Sequence, residues 1–285
     1  MKNILPLTIR NILIAMSMIF YMSLSSTLYA QQKAITTLTA GGNVSIFKIQ
    51  DSGMSPVRYN GFIPGLQMSL ERIKPNSIST VQISGAKGVL NAKSRRDGKV
   101  SRVNQDGFEV YYSYLRKFSN RDENTWRIFA GLQIGTILRH RIHNKLANSA
   151  RLYESISYVG PALKAERSFR LLGMPLLFGA RLQVPAFAAV LRPSITNLSN
   201  YLGQDDDEFK SRFEEHGFTS FNNLLMIQSQ LSLRYKLKNL DEIQLNYNWE
   251  FIDYTKPNQM QSANHLIGVS YVKLFGTRLK KVGNE

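Results

Sequence analysis

Residues 243–251 alternate without a lapse. Ile243, Leu245, Tyr247, Trp249 and Phe251 fall on one side of an extended chain; Gln244, Asn246, Asn248 and Glu250 fall on the other. A period of two is the signature of a β-strand with one apolar and one polar face. The pattern returns along the chain. Leu225, Ile227, Leu231, Leu233, Tyr235 and Leu237 oppose Gln228, Gln230, Ser232, Arg234 and Lys236, with Met226 out of place. Trp126, Ile128, Ala130, Leu132, Ile134 and Leu138 oppose Arg127, Gly131, Gln133, Gly135 and Arg139, with Phe129 and Ile137 out of place. Phe108, Val110, Tyr112 and Tyr114 oppose Glu109, Ser113 and Lys117, against the lapses Tyr111 and Leu115. Phe62, Leu66, Met68 and Leu70 oppose Gly65, Gln67, Ser69 and Glu71. Ten strands are predicted, over 36–47, 59–73, 78–92, 107–119, 125–143, 151–169, 174–191, 219–237, 241–254 and 264–275. Pro64, Pro161 and Pro185 fall inside them, where each removes a ladder hydrogen bond. Bulges are expected there, and counts of eight or twelve strands stay open.

These strands are about twice the usual ~5–6 residues. A soluble sandwich places one charged face in water. A closed barrel in lipid explains more: the apolar face meets acyl chains, the polar and glycine-containing face lines a lumen, and no sheet edge is left unpaired in hydrocarbon. The connections agree. Those after the even strands are short (74–77, 120–124, 170–173, 238–240), and those after the odd strands are longer (48–58, 93–106, 144–150, 192–218, 255–263). Short turns alternating with longer loops are the layout of an outer-membrane barrel, with turns in the periplasm and loops outside. The expected fold class is therefore all-β: a transmembrane, antiparallel, up-and-down barrel.

The first thirty residues are an address. Lys2 and Arg10 precede an apolar run ending Thr27-Leu28-Tyr29-Ala30, and polar Gln31-Gln32 follow. This is the pattern of a cleaved secretory signal peptide, so residues 1–30 are read as leader and 31–285 as the barrel domain. No later apolar run approaches the ~18 residues of a membrane helix. The chain has no cysteine, which excludes disulfides, thiolate metal sites and a cysteine nucleophile. Its formal net charge is +16. On an exported chain this excess does not point to nucleic acid.

The leader, the ten amphipathic strands and the near-terminal strand Leu266-Ile267-Gly268-Val269-Ser270-Tyr271-Val272-Lys273-Leu274-Phe275 together resemble small Gram-negative outer-membrane β-barrel proteins. The texture is most similar to barrel proteins of Bacteroidetes. The resemblance implies a last strand with an aromatic end, here Tyr271 and Phe275, read by the barrel assembly machinery. It covers nearly all of residues 31–285 and rests on architecture, with no functional motif. The departure is the tail 276–285, since many such barrels stop at the aromatic residue.

Candidate chemistry then divides by face. The expected lumen network is Glu71, Glu109, Arg127, Arg139, Arg181, Arg234 and Glu250, paired because unpaired buried charge is costly. Its bland role is packing; its functional alternative is a small pore for polar solutes. The cationic run Lys93, Arg95, Arg96, Lys99 and Arg102 falls on a predicted outer loop, where it would meet lipopolysaccharide phosphates. The acidic run Asp205-Asp206-Asp207-Glu208 matches no calcium-loop spacing and reads as a solvated loop. No metal or cofactor set emerges. His140, His143, His216 and His265 all lie toward the predicted outer ends of strands or in loops, which raises a rim-located hydrolase, with His265 and Asp253 paired as base and orienter. Parity opposes that pair: both share the apolar, outward face. No serine nucleophile stands out. The sequence thus favours a structural or surface-interaction barrel, an accessory subunit of an envelope complex, over a pore or an enzyme. Its partners would be outer-membrane lipid, the assembly machinery and an envelope protein.

Overall fold

Alternating side chains fold into twelve strands: β1 (Ile35–Asp51), β2 (Ser55–Lys74), β3 (Ser77–Lys93), β4 (Val100–Lys117), β5 (Arg127–Ile142), β6 (Arg151–Leu171), β7 (Met174–Gln183), β8 (Phe187–Leu191), β9 (Gly217–Ser220), β10 (Leu224–Lys236), β11 (Glu242–Tyr254) and β12 (Met260–Phe275). The computed structural model describes residues 34–52, 55–93, 100–118, 126–143, 151–192, 217–237, 241–255 and 259–275. The leader 1–30, Arg95, Arg96, Lys99, the acidic run 205–208, His216 and the tail 276–285 lie outside the described residues.

All pairings are antiparallel, and the strands form one closed ring. β5 pairs with β6, and β1 pairs with β12 from Thr36 opposite Phe275 to Asp51 opposite Met260. Ten positions make up the ring. The two short strands β8 and β9 continue β7 and β10 toward the loop end.

The break between β7 and β8 is a bulge at Pro185. Ala162 pairs with Gln183 and Val159 with Phe187, so three residues face two. The extra residue reverses the facing of the strand: Arg181 and Gln183 point inward before it, Ala188 and Val190 after it. Pro161 faces the same gap; its carbonyl accepts from Val184 N at 3.3 Å. Glycine is needed beside it, because a Cβ on Gly160 would lie 2.3 Å from the Val184 carbonyl oxygen. At the opposite end, Leu171 pairs with Met174 across Leu172 (φ 52°) and Gly173 (φ 80°). Two positive φ values make the tight turn whose twist suits a hairpin.

The outward face carries the apolar belt. Phe62 is 71% exposed and Leu66 72%, and Leu132, Ile134, Leu245, Ile267 and Val269 are also exposed. A belt of this extent is unfavourable in water and suits acyl chains. At the turn end it finishes in aromatics: Tyr114, Phe118, Trp126, Phe169, Tyr235, Tyr271 and Phe275. Such girdles sit at a membrane–water interface. Tyr271 donates its hydroxyl to Asp241 in the β10–β11 turn, and this hydrogen bond holds the Asp241 carboxyl below its usual range.

The apolar residues that broke the alternation all face inward. Ile137 and Met226 join Phe47, Ile49, Tyr59, Leu90, Val103, Ile156, Val190, Ile252 and Met260 in one buried cluster in the loop-end half of the barrel. Phe129 and Leu115 join Ile78 and Ala162 in a smaller one toward the turns. In the loop-end half the pattern is therefore inverted: Phe47 and Ile49 face in, Lys48 out; Leu90 and Ala92 face in, Asn91 and Lys93 out. The strands run further than expected for that reason. β4 begins at Val100 rather than 107, and β12 at Met260 rather than 264.

Candidate functional site

Between the two apolar clusters the lumen is polar. Toward the turn end, Glu71 accepts from Lys164 Nζ at 2.7 Å, and Arg234 Nη2 lies 3.7 Å away. Lys164 also meets Glu166 at 3.0 Å, and Arg127 Nη2 meets Glu166 at 2.9 Å. Higher up, the Arg181 guanidinium sits 4.9 Å from the centre of the Tyr111 ring and donates to Gln133. Tyr111 donates to Gln82 at 2.8 Å. Gln228 Nε2 then bridges two carboxylates, Glu109 at 3.0 Å and Glu250 at 3.1 Å.

At the loop end the charges become fully enclosed. Arg139 donates to Glu250 and reaches Glu154 at 3.4 Å. Arg141 Nη1 lies 3.4 Å from Asp51 and 3.3 Å from Glu154. Arg192 meets Asp51 at 2.6 Å and Glu154 at 3.4 Å. Glu154 is thus shared by three guanidinium groups. A buried charge is tolerated only with partners of this kind; strand register holds each group here except Arg192, which follows the last residue of β8.

All seven residues proposed for the lumen network face inward. The structure brings Glu71 to Arg234, Arg139 to Glu250, and Glu109 to Glu250 through Gln228; Arg127 and Arg181 find other partners. Sequence reasoning missed Asp51, Arg141, Glu154, Lys164, Glu166 and Arg192. A usable signal existed: Arg139 and Arg141, and Lys164 and Glu166, are two residues apart and therefore share a face.

One cavity of about 40 Å³ is lined by Glu71, Lys164, Arg181 and Arg234, and one of about 80 Å³ by Glu109, Gln228, Asn248, Glu250 and Asn264. Tyr111 and Arg181 border both. Each has room for a few waters. No group of carboxylates and histidines among the described residues has the arrangement of a metal site.

The cationic run is corrected in one respect. Lys93 closes β3 and Arg102 lies within β4, so both belong to strands and not to a loop. The inverted alternation of that half had made strand look like connection.

Asp253 and His265 are not brought together. Asp253 pairs with Gln261 and His265 with Trp249, four residues apart along the ladder, or about 13 Å. His265 Nδ1 instead lies 2.8 Å from the Tyr247 hydroxyl on the outward face. His140 stacks on Tyr153 at 4.4 Å, also outside. His143 faces in, and its Nε2 lies 2.7 Å from Ser101 Oγ, a contact the sequence did not announce.

No family model matches the chain, and no curated protein matches it in sequence. Solved structures similar to it include the outer membrane protease OmpT from Escherichia coli (8% identity, 88% of this chain and 100% of that one, TM-score 0.48). They also include the transport unit of the autotransporter AIDA-I from Escherichia coli (10% identity, 90% and 96% covered, TM-score 0.37). A third is the outer membrane protein OprG from Pseudomonas aeruginosa (8% identity, 86% and 98% covered, TM-score 0.33).

Proposed function

We propose that this chain is an exported outer-membrane barrel with a closed lumen, acting as a structural or surface-facing accessory subunit of an envelope complex. Residues 1–30 are its leader, and β12, ending in Phe275, is the strand offered to the assembly machinery. The observation that carries this reading is the filled interior. Among the described residues, ion pairs and two apolar clusters occupy the lumen, and two cavities between them measure about 40 and 80 Å³. A conducting path needs continuous water, and Tyr111, Arg181 and the apolar loop-end cluster stand across it. The apolar outward belt supports placement in a bilayer. The test is single-channel recording on the full chain in planar bilayers at neutral pH. The expected trace stays at the lipid background. Discrete steps from the unsubstituted protein would favour the small pore instead.

One contact favours a second reading, a hydrolase at the loop-end rim. Ser101 and His143 have the nucleophile–base spacing, at 2.7 Å. His143 is only 3% exposed, which speaks for a packed structural pair. A fluorophosphonate probe decides: the structural reading expects no labelling, whereas labelling lost in Ser101→Ala would establish a reactive serine.

A further inference from the structure

We propose that the outward face of β1–β4, between the apolar belt and the loop end, binds phosphate groups on lipid headgroups of the outer leaflet. The inference rests on the membrane-barrel reading above and names a partner for that surface.

Register builds the surface. Lys48 pairs with Asn60, Asn60 with Asn91, and Asn91 with Arg102. These four side chains form one outward, exposed row across four strands. At ~4.8 Å between strands the row is about 14 Å long. Next to it, Arg58 is exposed and its Nε donates to Gln50 at 2.9 Å. Lys93 stands two residues beyond Asn91 on the same face. On the belt side, Lys87 is 83% exposed and lies 3.5 Å from Asp106.

The charge is unbalanced. Asp106 is the only carboxylate on this part of the face among the described residues, and Lys87 and His140 (3.8 Å) already hold it. Lys48, Arg58, Lys93 and Arg102 have no carboxylate partner among the described residues. The excess is also one-sided. At the loop end of β8–β12 the described outward positions include Phe187, Ala189, Leu191, Phe218, Ser220, Leu225, Asp253, Gln261 and Ala263, with no cation among them. A coat that merely kept the rim soluble would run round the whole ring.

The chemistry favours phosphate on a lipid. Guanidinium offers paired donors to phosphate oxygens, and lysine stems lie along apolar surface while the ammonium group reaches water. The row continues directly into the belt through Ile46, Phe62 and Val89, all exposed, one step along the same strands. Acyl chains on those residues would bring their own headgroup to the cations. A free phosphate ion would have no use for that continuity.

The test is native mass spectrometry of the purified full chain in detergent, titrated with bisphosphorylated lipid A, its monophosphoryl form and a phosphate-free form. The unsubstituted protein is expected to retain the bisphosphorylated form about tenfold better than the phosphate-free one. The triple variant Lys48→Gln/Arg58→Gln/Arg102→Gln should lose that preference. If it does not fold, Arg102→Gln alone should lose part of it. Equal retention of all three lipids, full preference in the variant, or equally effective displacement by inorganic pyrophosphate would overturn the proposal. Protease protection of the same protein in phosphatidylcholine vesicles separates the two readings. Insertion without phosphate preference sinks only the lipid site; failure to insert sinks the membrane barrel and the site with it.

Discussion

A Glu154→Gln variant is expected to unfold with about 3–5 kcal/mol less free energy than the parent, the range for breaking a buried ion pair by removing one partner. The substitution keeps the shape, removes the charge and replaces one acceptor oxygen with an NH2 donor that faces guanidinium donors. Glu154 is 2% exposed and lies against Arg139, Arg141 and Arg192. Without its charge, Asp51 and Glu250 are left to balance three buried guanidinium groups. Urea titration in micelles, followed by far-ultraviolet circular dichroism, gives the number. A loss under ~1 kcal/mol is the size seen for solvated pairs and would mean that water reaches the loop-end mouth.

Phe47→Ala should cost a similar amount, about 3–5 kcal/mol, through the lost ring and the cavity it leaves. Phe47 is 2% exposed and packs in the loop-end cluster, with the Arg139 guanidinium 5.4 Å from the ring centre. Its neighbour Ile46 points the other way and is 39% exposed. Acyl chains close over a shortened side chain there, so Ile46→Ala should cost ~1 kcal/mol or less on area grounds. The same titration measures both. Equal losses at 46 and 47 would contradict the facing assigned to β1.

The contrast between 46 and 47 also marks how far the sequence could be read. Fold class was legible because lipid outside and polar lumen inside impose one rule over most of each strand, and 243–251 obeys it without a lapse. The rule fails where the surroundings change. Toward the loop end the outward face leaves the belt and carries Lys48, Asn91 and Arg102, while the inside is filled with Phe47, Leu90 and Val103. The alternation persists with opposite sign, so strand reads as loop and Asp51 is lost with it; Arg192, one residue past β8, lies beyond the alternating pattern. Met226, Ile137, Phe129 and Leu115 looked like noise and are the interior packing. Partner choice within the lumen was hidden for a different reason. Arg139 and Glu250 are 111 residues apart, and only the register of ten ring positions places them together.

The pairing of Thr36 with Phe275 has a consequence for how the molecule is made. Until β12 has been synthesised, the edge of β1 has no mate, and a product that stops before Met260 is an open ribbon with hydrogen-bonding groups bare along one side. Completion is therefore a post-synthetic event, and whatever shields that seam in the interval decides whether the polypeptide becomes a cylinder or an aggregate.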